Sequence, residues 1–261
     1  MLSSSFPKPL VSVITVSYNS LSELKVTNEN LRLLLPEDFE AILVDGRSTD
    51  GTEAFLGSER CSFQKVIREP DSGIYDAMNK GIALAQGEYI IFMNCGDRFF
   101  EGIDWNTIRT RLTEKKHIWI GNLLLDSGGR ADVRDSSFKV NTFLDAALPH
   151  QASFIPKAFF ETYGSYDLSF QIAADQEWFL RAMKAGAQFS ALHFPVARYK
   201  GGGVSEEPLN RRRLEAERRR MLLSYLGSSW YFWHRFLNVT GSRRLSERLA
   251  RKVRRWIKSA Q

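Results

Sequence analysis

The chain has 261 residues, of which 43% are hydrophobic and 25% are charged, with 18 glycines and 8 prolines. This composition excludes a disordered or fibrous protein and allows one large α/β domain, or one domain with an appendage. Two cysteines, Cys61 and Cys95, are too few for a disulfide framework, so we expect free thiols in a reducing compartment. Neither a signal peptide nor an apolar run of about 18 residues that could span a membrane is predicted.

The net charge of +6 is distributed unevenly along the chain. Residues 211–261 hold 15 lysines and arginines against 3 acidic residues, so this stretch carries +12. Residues 1–210 hold 21 basic and 27 acidic residues and carry −6. A basic tail on an acidic body predicts an anionic partner for the tail and none for the body.

The first part of the sequence alternates strand patterns with helix patterns. Short and nearly continuous apolar runs predict buried strands of a parallel sheet at residues 10–18, 40–44, 64–68 and 89–93. Helices are predicted at 21–35, from residue 52, and at 74–85, and Pro36 ends the first. This alternation implies a doubly wound parallel sheet, whose ligands bind beyond the carboxyl ends of the strands.

The pattern after Arg98 is mixed. Strands are predicted at residues 117–125, 154–155 and 188–194, and helices at 142–147, 157–162 and 176–185. A glycine-rich stretch at 199–205 predicts a flexible loop, and the basic tail predicts two or three helices.

Polar loops follow the predicted strands at the edge where a ligand would bind. Asp45 ends a buried strand, where an unpaired carboxylate would be costly, and Asp50 or Ser48 could cap the next helix. Asp71 and Lys80 flank another helix start, and a lysine on a helix is usually only solvated unless a phosphate lies above it. These residues alone leave a structural and a ligand-binding role open.

Two further carboxylates lie at strand and helix ends. Asp97 follows the strand at 89–93, where a carboxylate can bind a divalent cation or simply stabilise a turn. Asp175 opens a helix, where it could act as a general base or stabilise the helix end by roughly 1 kcal/mol. Each residue considered alone leaves both interpretations open.

Four stretches taken together resemble family 2 glycosyltransferases, which have the GT-A fold. They are VSVITVSYN at 11–19, VDGRSTDGT at 44–52, EPDSGIYDAMNKGIALAQGEYIIFMNCGD at 69–97, and HQASFIP with YGSYDLSFQIAADQEWFLR within 150–181. They occur in the order and spacing of that family, and the resemblance covers about residues 10–205. The chain is most similar to the branch that builds bacterial surface polysaccharides.

The resemblance implies an α/β fold with a Rossmann-like, mostly parallel sheet and helices on both faces. It places the GT-A domain at residues 1–209, with a nucleotide-binding half at about 1–98 and an acceptor half at about 99–209. The basic helical tail then occupies residues 210–261.

The resemblance also implies roles for individual residues. The donor-binding residues are Thr15, Ser17, Tyr18, Asp45, Asp71, Lys80 and Asn94. Asp97 matches the carboxylate that ligates Mg²⁺ or Mn²⁺, and Asp175 matches the aspartate that acts as the catalytic base. Acceptor-side and lid segments are matched by His150, Gln151, Trp178, Gly202 and Gly203.

The chain departs from the family pattern at three places. Gly46 stands where many relatives have a second acidic residue, which leaves uracil and guanine both open as the base. Asn94 and Gly96 stand where relatives often have aspartates, so Asp97 is the one carboxylate of the motif. Ala174 replaces the glutamate that usually precedes the catalytic aspartate.

The expected function is therefore an inverting glycosyltransferase that moves a sugar from a nucleoside-diphosphate sugar to an acceptor hydroxyl. A UDP-sugar is favoured, a GDP-sugar is the alternative donor, and a non-catalytic nucleotide-sugar-binding module is the alternative of another class. The expected acceptor is a polyprenyl-diphosphate-linked saccharide or a growing surface glycan.

The tail adds an expectation about location. Residues 242–258 align Leu245, Leu249 and Val253 on one helical face and surround them with arginines, and residues 229–235 are rich in aromatic side chains. A basic amphipathic helix of this kind predicts binding to an anionic membrane, hence a cytoplasmic protein peripheral on the inner face of the cytoplasmic membrane. Packing on the body or on a second subunit is the alternative, so homo-oligomerisation stays open. Nucleic acid is not expected, because no nucleic-acid module accompanies the arginines.

Overall fold

A computed structural model describes residues 8–114, 117–135, 138 and 148–227. The first part of the chain forms parallel strands in the order β3-β2-β1-β4, which are joined by helices. The strands are β1 (Val11–Ser17), β2 (Phe39–Asp45), β3 (Lys65–Arg68) and β4 (Tyr89–Phe92). The helices are α1 (Leu21–Leu34), α2 (Thr52–Leu56) and α3 (Ile74–Leu84). Every residue of β1, β2 and β4 is buried, as expected for strands covered on both faces.

The second part continues the same sheet with mixed pairing. Its elements are β5 (Arg98–Phe99), α4 (Trp105–Leu112), β6 (His117–Leu125), β7 (Arg130–Ala131), β8 (Ser153–Pro156), α5 (Lys157–Tyr163), α6 (Ala174–Lys184) and β9 (Gln188–Tyr199). The strand order continues β4-β8-β6-β9-β5, with β7 beside β6. β6 and β9 are parallel, whereas β8 is antiparallel to both β4 and β6. The predicted α/β fold class is confirmed.

Among the described strands and α-helices, three elements and one strand end differ from the sequence prediction. β5, β7 and α4 were not predicted, because two-residue strands show no periodicity and α4 buries only Ile108 and Leu112. Asp104 caps α4 by accepting hydrogen bonds from the backbone of its first turn. β9 extends to Tyr199 although Pro195 lies within it, and the β6–β9 register shifts around Asn122, opposite this proline.

The contacts divide the chain into two compact units, Met1–Arg211 and Arg212–Gln261, and the sequence prediction placed its boundary between residues 209 and 210. One further helix, α7 (Arg211–Leu226), accounts for nearly all of the second unit that the structure describes. The helix predicted at 142–147 and the amphipathic segment at 242–258 lie outside the described residues. Within those residues, no helix has both the length and the apolar character needed to span a bilayer.

Candidate active site

The carboxyl ends of the first strands form the edge at which most of the predicted site residues lie. Ser17 is paired with Asp45, and Asp45 with Arg68, so the last residues of β1, β2 and β3 lie side by side. β4 is parallel to β1 and ends just before Asn94. Parallel pairing therefore brings together side chains that are far apart in sequence.

Asp45 is fully buried and has protein partners on its carboxylate. Arg68 Nε lies 3.1 Å from Asp45 Oδ2, and the Ser48 backbone N–H and hydroxyl both donate to the same carboxylate. Arg68 also contacts Glu53 at 2.9 Å, so it links two acids. The contact predicted between Asp45 and the base or ribose stays a prediction.

Asp50 holds the start of two helices. One carboxylate oxygen accepts from the Leu21 backbone at 2.8 Å, at the first residue of α1. The other accepts from the Thr52 backbone at 3.2 Å and from its hydroxyl at 2.6 Å, at the first residue of α2. Asp50, and not Ser48, thus holds the start of α2.

Tyr18, Gly46 and Asp71 meet at the end of β1 and β2. An ideal Cβ on Gly46 would lie 2.5 Å from Asp71 Oδ2 and 3.1 Å from Tyr18 Cδ2. The Asp71 carboxylate therefore occupies the space in which a side chain at position 46 would begin. Tyr18 is 65% exposed, so its ring is free to contact a ligand beside this carboxylate. An aromatic face next to an acceptor group suits a nucleobase or ribose.

Three other residues of the predicted donor site have less accessible side chains. Thr15 is fully buried and its hydroxyl donates to the Met93 carbonyl at 2.8 Å, while Ser17 is buried at the end of β1. Lys80 Nζ donates to the Pro70 carbonyl at 2.6 Å and forms an ion pair with Glu69 at 3.0 Å. In this structure Lys80 thus stabilises the loop that carries Asp71.

The loop after β4 is held by hydrogen bonds that fix Asp97. The Thr27 hydroxyl accepts from the Gly96 backbone N–H at 2.9 Å and donates to the Asp97 carbonyl at 2.9 Å. The Lys200 backbone N–H donates to Asp97 Oδ1 at 3.1 Å. Asp97 is only 3% exposed, and burial raises its pKa to about 6 although the Lys200 hydrogen bond opposes the rise.

The Asp97 site fits a cation that is shared with a ligand. A buried carboxyl with a raised pKa gains from a nearby positive charge. No group of three or more histidine, cysteine or acidic side chains that could hold a metal occurs among the described residues. Mg²⁺ is commonly held by one or two carboxylates together with substrate phosphates and water. Asp97 could therefore contribute one carboxylate to such a site.

The pairing of β8 with β4 brings His150 to the same edge. Tyr89 pairs with Pro156 and Ile90 with Ile155 in antiparallel register. Continuing this register places Asn94 opposite Gln151, the residue after His150. Asn94 Nδ2 accordingly lies 3.1 Å from His150 Nε2.

Asp175 joins this cluster from the start of α6. Its Oδ2 lies 3.1 Å from His150 Nδ1, and its Oδ1 accepts from the Tyr75 hydroxyl at 2.9 Å. Tyr75 also donates to the Ile172 carbonyl at 2.8 Å, which fixes its ring at the start of α3. Burial opposes ionisation of Asp175, but the hydrogen bonds from His150 and Tyr75 outweigh it and lower its pKa. Asp175 is therefore an ionised carboxylate at a helix N-terminus.

The remaining acceptor-side residues differ in accessibility. Trp178 is fully buried, its ring stacks on Phe160 at 4.5 Å, and its Nε1 donates to the Gly164 carbonyl, so it packs in the core. Gln151 is buried beside Asp97 and hydrogen-bonds to it. Gly202 and Gly203 lie just beyond β9, where their backbone N–H groups donate to Glu206 and to the Tyr199 hydroxyl.

Sequence reasoning assigned no role to several residues that hold the site together. Tyr75 bonds Asp175, Arg68 bonds Asp45, Thr27 holds the loop of Asp97, and the Lys200 backbone bonds its carboxylate. Tyr75 lies within the stretch at 69–97 that resembles the family, and this position in a motif could have marked it as a candidate site residue. The other three had none, because their roles depend on tertiary contacts.

Comparison with known proteins agrees with the fold and with the family that the sequence resembles. The profile of glycosyl transferase family 2 matches residues 12–159. An uncharacterized glycosyltransferase of Mycobacterium tuberculosis is 36% identical over 183 residues, which cover 67% of this chain and 69% of that protein. A PGL/p-HBAD biosynthesis glycosyltransferase of Mycobacterium bovis is 30% identical over 209 residues, 76% of this chain and 79% of that protein.

Solved structures support the fold and nothing beyond it, because their sequences are less than 25% identical to this chain. S. aureus TarS 1–349 in complex with UDP has a TM-score of 0.62 and 18% identity, over 86% of this chain and 69% of that one. This chain spans 42% of the longer TarS chain. The mannosyltransferase PcManGT of Pyrobaculum calidifontis, in complex with GDP-Man and Mn²⁺, has a TM-score of 0.57 and 16% identity, over 84% of this chain and 63% of that one.

The fold and the family match define a GT-A glycosyltransferase. The chain belongs to glycosyl transferase family 2.

Proposed function

We propose that the protein is an inverting glycosyltransferase that moves a sugar from a UDP-sugar to a hydroxyl of a lipid-linked or growing surface glycan. The observation that carries the proposal is that two buried carboxylates, Asp97 and Asp175, are connected through Asn94 and His150 at the carboxyl end of β4. Buried ionisable groups are costly, and those with perturbed pKa values cluster at functional sites. The relative that is named for PGL/p-HBAD biosynthesis supports a glycosyltransferase of a biosynthetic pathway.

The chemistry requires a base at one end of the site and positive charge at the other. The acceptor hydroxyl loses its proton as its oxygen attacks C1 of the donor sugar, and the nucleoside diphosphate leaves with the electron pair of the broken bond. The ionised Asp175 lies in a cluster that can provide the basicity, and its sequence assignment as the base stays a prediction. A divalent cation, Mg²⁺ or Mn²⁺, would be held by Asp97 and would neutralise charge on the diphosphate.

The UDP-sugar is favoured by analogy with TarS, which has been solved with UDP. PcManGT, solved with GDP-Man and Mn²⁺, supports the alternative of a GDP-sugar and also the use of a divalent cation. The deciding experiment measures release of UDP or GDP from a panel of UDP- and GDP-sugars with Mn²⁺ and octyl glycosides as acceptors. UDP release is expected; GDP release would identify the other donor class, and binding without turnover would indicate a non-catalytic module.

The Gly46 contact gives a prediction about donor affinity. Gly46→Ala adds a Cβ that overlaps Asp71 Oδ2, so either Asp71 or Tyr18 must move. Asp71 Oδ2 is the end of a flexible side chain, so its shift should cost little stability. If the displaced groups form the UDP pocket, we expect UDP to bind roughly 10-fold more weakly by calorimetry, a loss of about 1.4 kcal/mol. Gly57→Ala is the matched control, because its Cβ would meet no atom closer than 3.8 Å. Unchanged UDP affinity in Gly46→Ala would place the nucleoside elsewhere.

We further propose that the acceptor is polyprenyl-diphosphate-linked and that the tail holds the enzyme on the inner face of the cytoplasmic membrane. The support is the +12 charge of residues 211–261 and the apolar stripe within 242–258. A lipid-linked acceptor would be extended at that surface, so membrane attachment and substrate class agree.

Vesicle co-sedimentation tests the tail directly. Replacing Arg251, Arg254 and Arg255 by glutamine removes three charges worth about 1 kcal/mol each near an anionic leaflet, so binding should weaken roughly 100-fold. Binding of the unaltered protein should also fall as salt rises, since charges are screened beyond about 8 Å at physiological salt. If the unaltered protein stays in the supernatant at low salt, the membrane proposal is wrong and packing on protein is favoured.

A further inference from the structure

The contacts between Asn94, His150, Asp175 and Tyr75 form a directed chain of hydrogen bonds. Both carboxylate oxygens of Asp175 are already engaged, one by the Tyr75 hydroxyl at 2.9 Å and one by His150 Nδ1 at 3.1 Å. The Tyr75 hydroxyl is itself anchored on the Ile172 carbonyl. Asp175 is therefore oriented by two donors, which share its charge, and each of its oxygens keeps a further lone pair.

The chain of contacts fixes the tautomer of His150. An ionised carboxylate only accepts hydrogen bonds, so Nδ1 carries the proton that points to Asp175. In the neutral ring Nε2 then has the lone pair, which fits the Asn94 amide nitrogen 3.1 Å away as its donor. The basic nitrogen of His150 thus faces the loop after β4, on the side of Asp97.

A second observation lies at the same place. Asn94 Oδ1 is a buried oxygen without a hydrogen-bond partner among the residues that the structure describes. Buried polar atoms usually have partners, so this oxygen needs a partner that a water or a ligand group can supply. A hydroxyl-bearing ligand could bond both to Asn94 and to the imidazole next to it.

We infer that His150 is the catalytic base of the transfer and that Asp175 is its positioning residue. This inference rests on the proposed function and specifies its proton transfer. The acceptor hydroxyl displaces the Asn94 amide from Nε2 and gives its proton to this nitrogen while its oxygen forms the bond to C1. The bond from C1 to the diphosphate oxygen breaks, and its electron pair leaves with the nucleoside diphosphate. The imidazolium that forms is stabilised by the Asp175 carboxylate and then loses its proton to water.

Each residue around His150 has a separate role in the proposed proton transfer. Asp175 sets the tautomer and stabilises the imidazolium, as the aspartate of a Ser-His-Asp triad does. Tyr75 stabilises the charge of Asp175 inside the fold. Asn94 orients the imidazole before the acceptor binds. Direct proton transfer to Asp175 is the competing arrangement, and the two differ in what loss of the imidazole does.

The first measurement needs no substrate. Long-range ¹H–¹⁵N correlation spectra report the tautomer of each histidine, and the His150 signal is identified by its loss in His150→Gln. We expect the Nδ1–H tautomer in the unaltered protein and a change of this signal in Asp175→Asn. An Nε2–H tautomer in the unaltered protein would overturn the inference.

The second measurement is chemical rescue with the UDP-sugar and octyl glycoside that the unaltered enzyme uses best. His150→Ala should lower kcat at least about 10²-fold with little change in the donor KM, as expected for loss of a general base. Imidazole should restore part of the rate, and the more basic 4-methylimidazole should restore more. Pyrazole has the same shape but is a far weaker base, so it should restore none.

Rescue that is equal for imidazole and pyrazole, or a His150→Ala rate near that of the unaltered enzyme, would overturn the inference and return the base to Asp175.

His193→Asn is the matched control, because His193 is an exposed histidine of β9 with a positive φ that asparagine tolerates. It should keep its rate and show no response to imidazole. Absence of turnover in the unaltered enzyme would instead contradict the proposed function, and the tautomer would still test the positioning of His150.

Discussion

Asp175→Asn is expected to lower the transfer rate at least about 10²-fold while leaving UDP affinity nearly unchanged. The amide has the size of the carboxylate but carries no charge, so it can neither take a proton nor stabilise a protonated His150. It would also present an N–H group to one of the two donors that now bind the carboxylate, Tyr75 and His150. Initial rates of UDP release and calorimetric UDP titration measure the two effects separately.

Glu177→Gln is a suitable control, because Glu177 lies on the same helix and is also buried. Its carboxylate pairs with Arg181 at 2.9 Å, away from the His150 cluster. This variant should lower stability, since it removes one partner of a buried ion pair, but it should not lower the rate of the folded enzyme. A transfer rate near normal in Asp175→Asn would remove Asp175 from the mechanism.

The nucleotide-binding half was the more predictable part of the fold. Its strands are buried on both faces, so they form nearly continuous apolar runs bounded by polar loops. The strand predicted at 89–93 is found at Tyr89–Phe92, and the helix predicted at 74–85 at Ile74–Leu84. In the second half the long strands β6 and β9 were also predicted, at 117–125 and 188–194, whereas the two-residue strands β5 and β7 have no periodicity that could reveal them.

The individual site carboxylates were predictable, but their partners were not. Asp97 and Asp175 were identified because they lie within motifs of a known family. The contact of His150 with Asp175 depends on the antiparallel register of β4 and β8, which no local pattern specifies. The same holds for Asp71, which reaches Gly46 only because two loops converge at one strand edge.

Trp178 illustrates a further limit. It is three residues beyond Asp175, and the resemblance placed it near the acceptor. Eight residues of α6 are buried, among them the polar Asp175, Gln176 and Glu177, so the polarity pattern does not reveal which way the indole points. Its core position therefore emerges only from the packing of aromatic rings around it.

Asp97→Asn is expected to stabilise the protein at neutral pH and to remove the effect of Mn²⁺ on donor affinity. Burial raises the pKa of Asp97 to about 6, whereas an aspartate in an unfolded chain titrates near 4. Ionisation inside the fold therefore costs up to about 3 kcal/mol, a cost that is fully present above pH 6. Stability of the unaltered protein should fall as pH rises from about 4 to about 6, because the native state binds more protons there.

The neutral asparagine avoids this cost, so the variant should unfold roughly 5–10 °C higher than the unaltered protein at pH 7.5 without metal. The difference should vanish near pH 4, where Asp97 is protonated in both states. Glu101→Gln is the control of opposite sign, because Arg198 lowers the pKa of Glu101 and its charge is therefore favourable. Scanning calorimetry at both pH values, with and without Mn²⁺, measures all of these effects. If Asp97→Asn destabilises the protein at pH 7.5, or keeps the Mn²⁺ effect on UDP binding, Asp97 is a structural turn residue and the cation is held elsewhere.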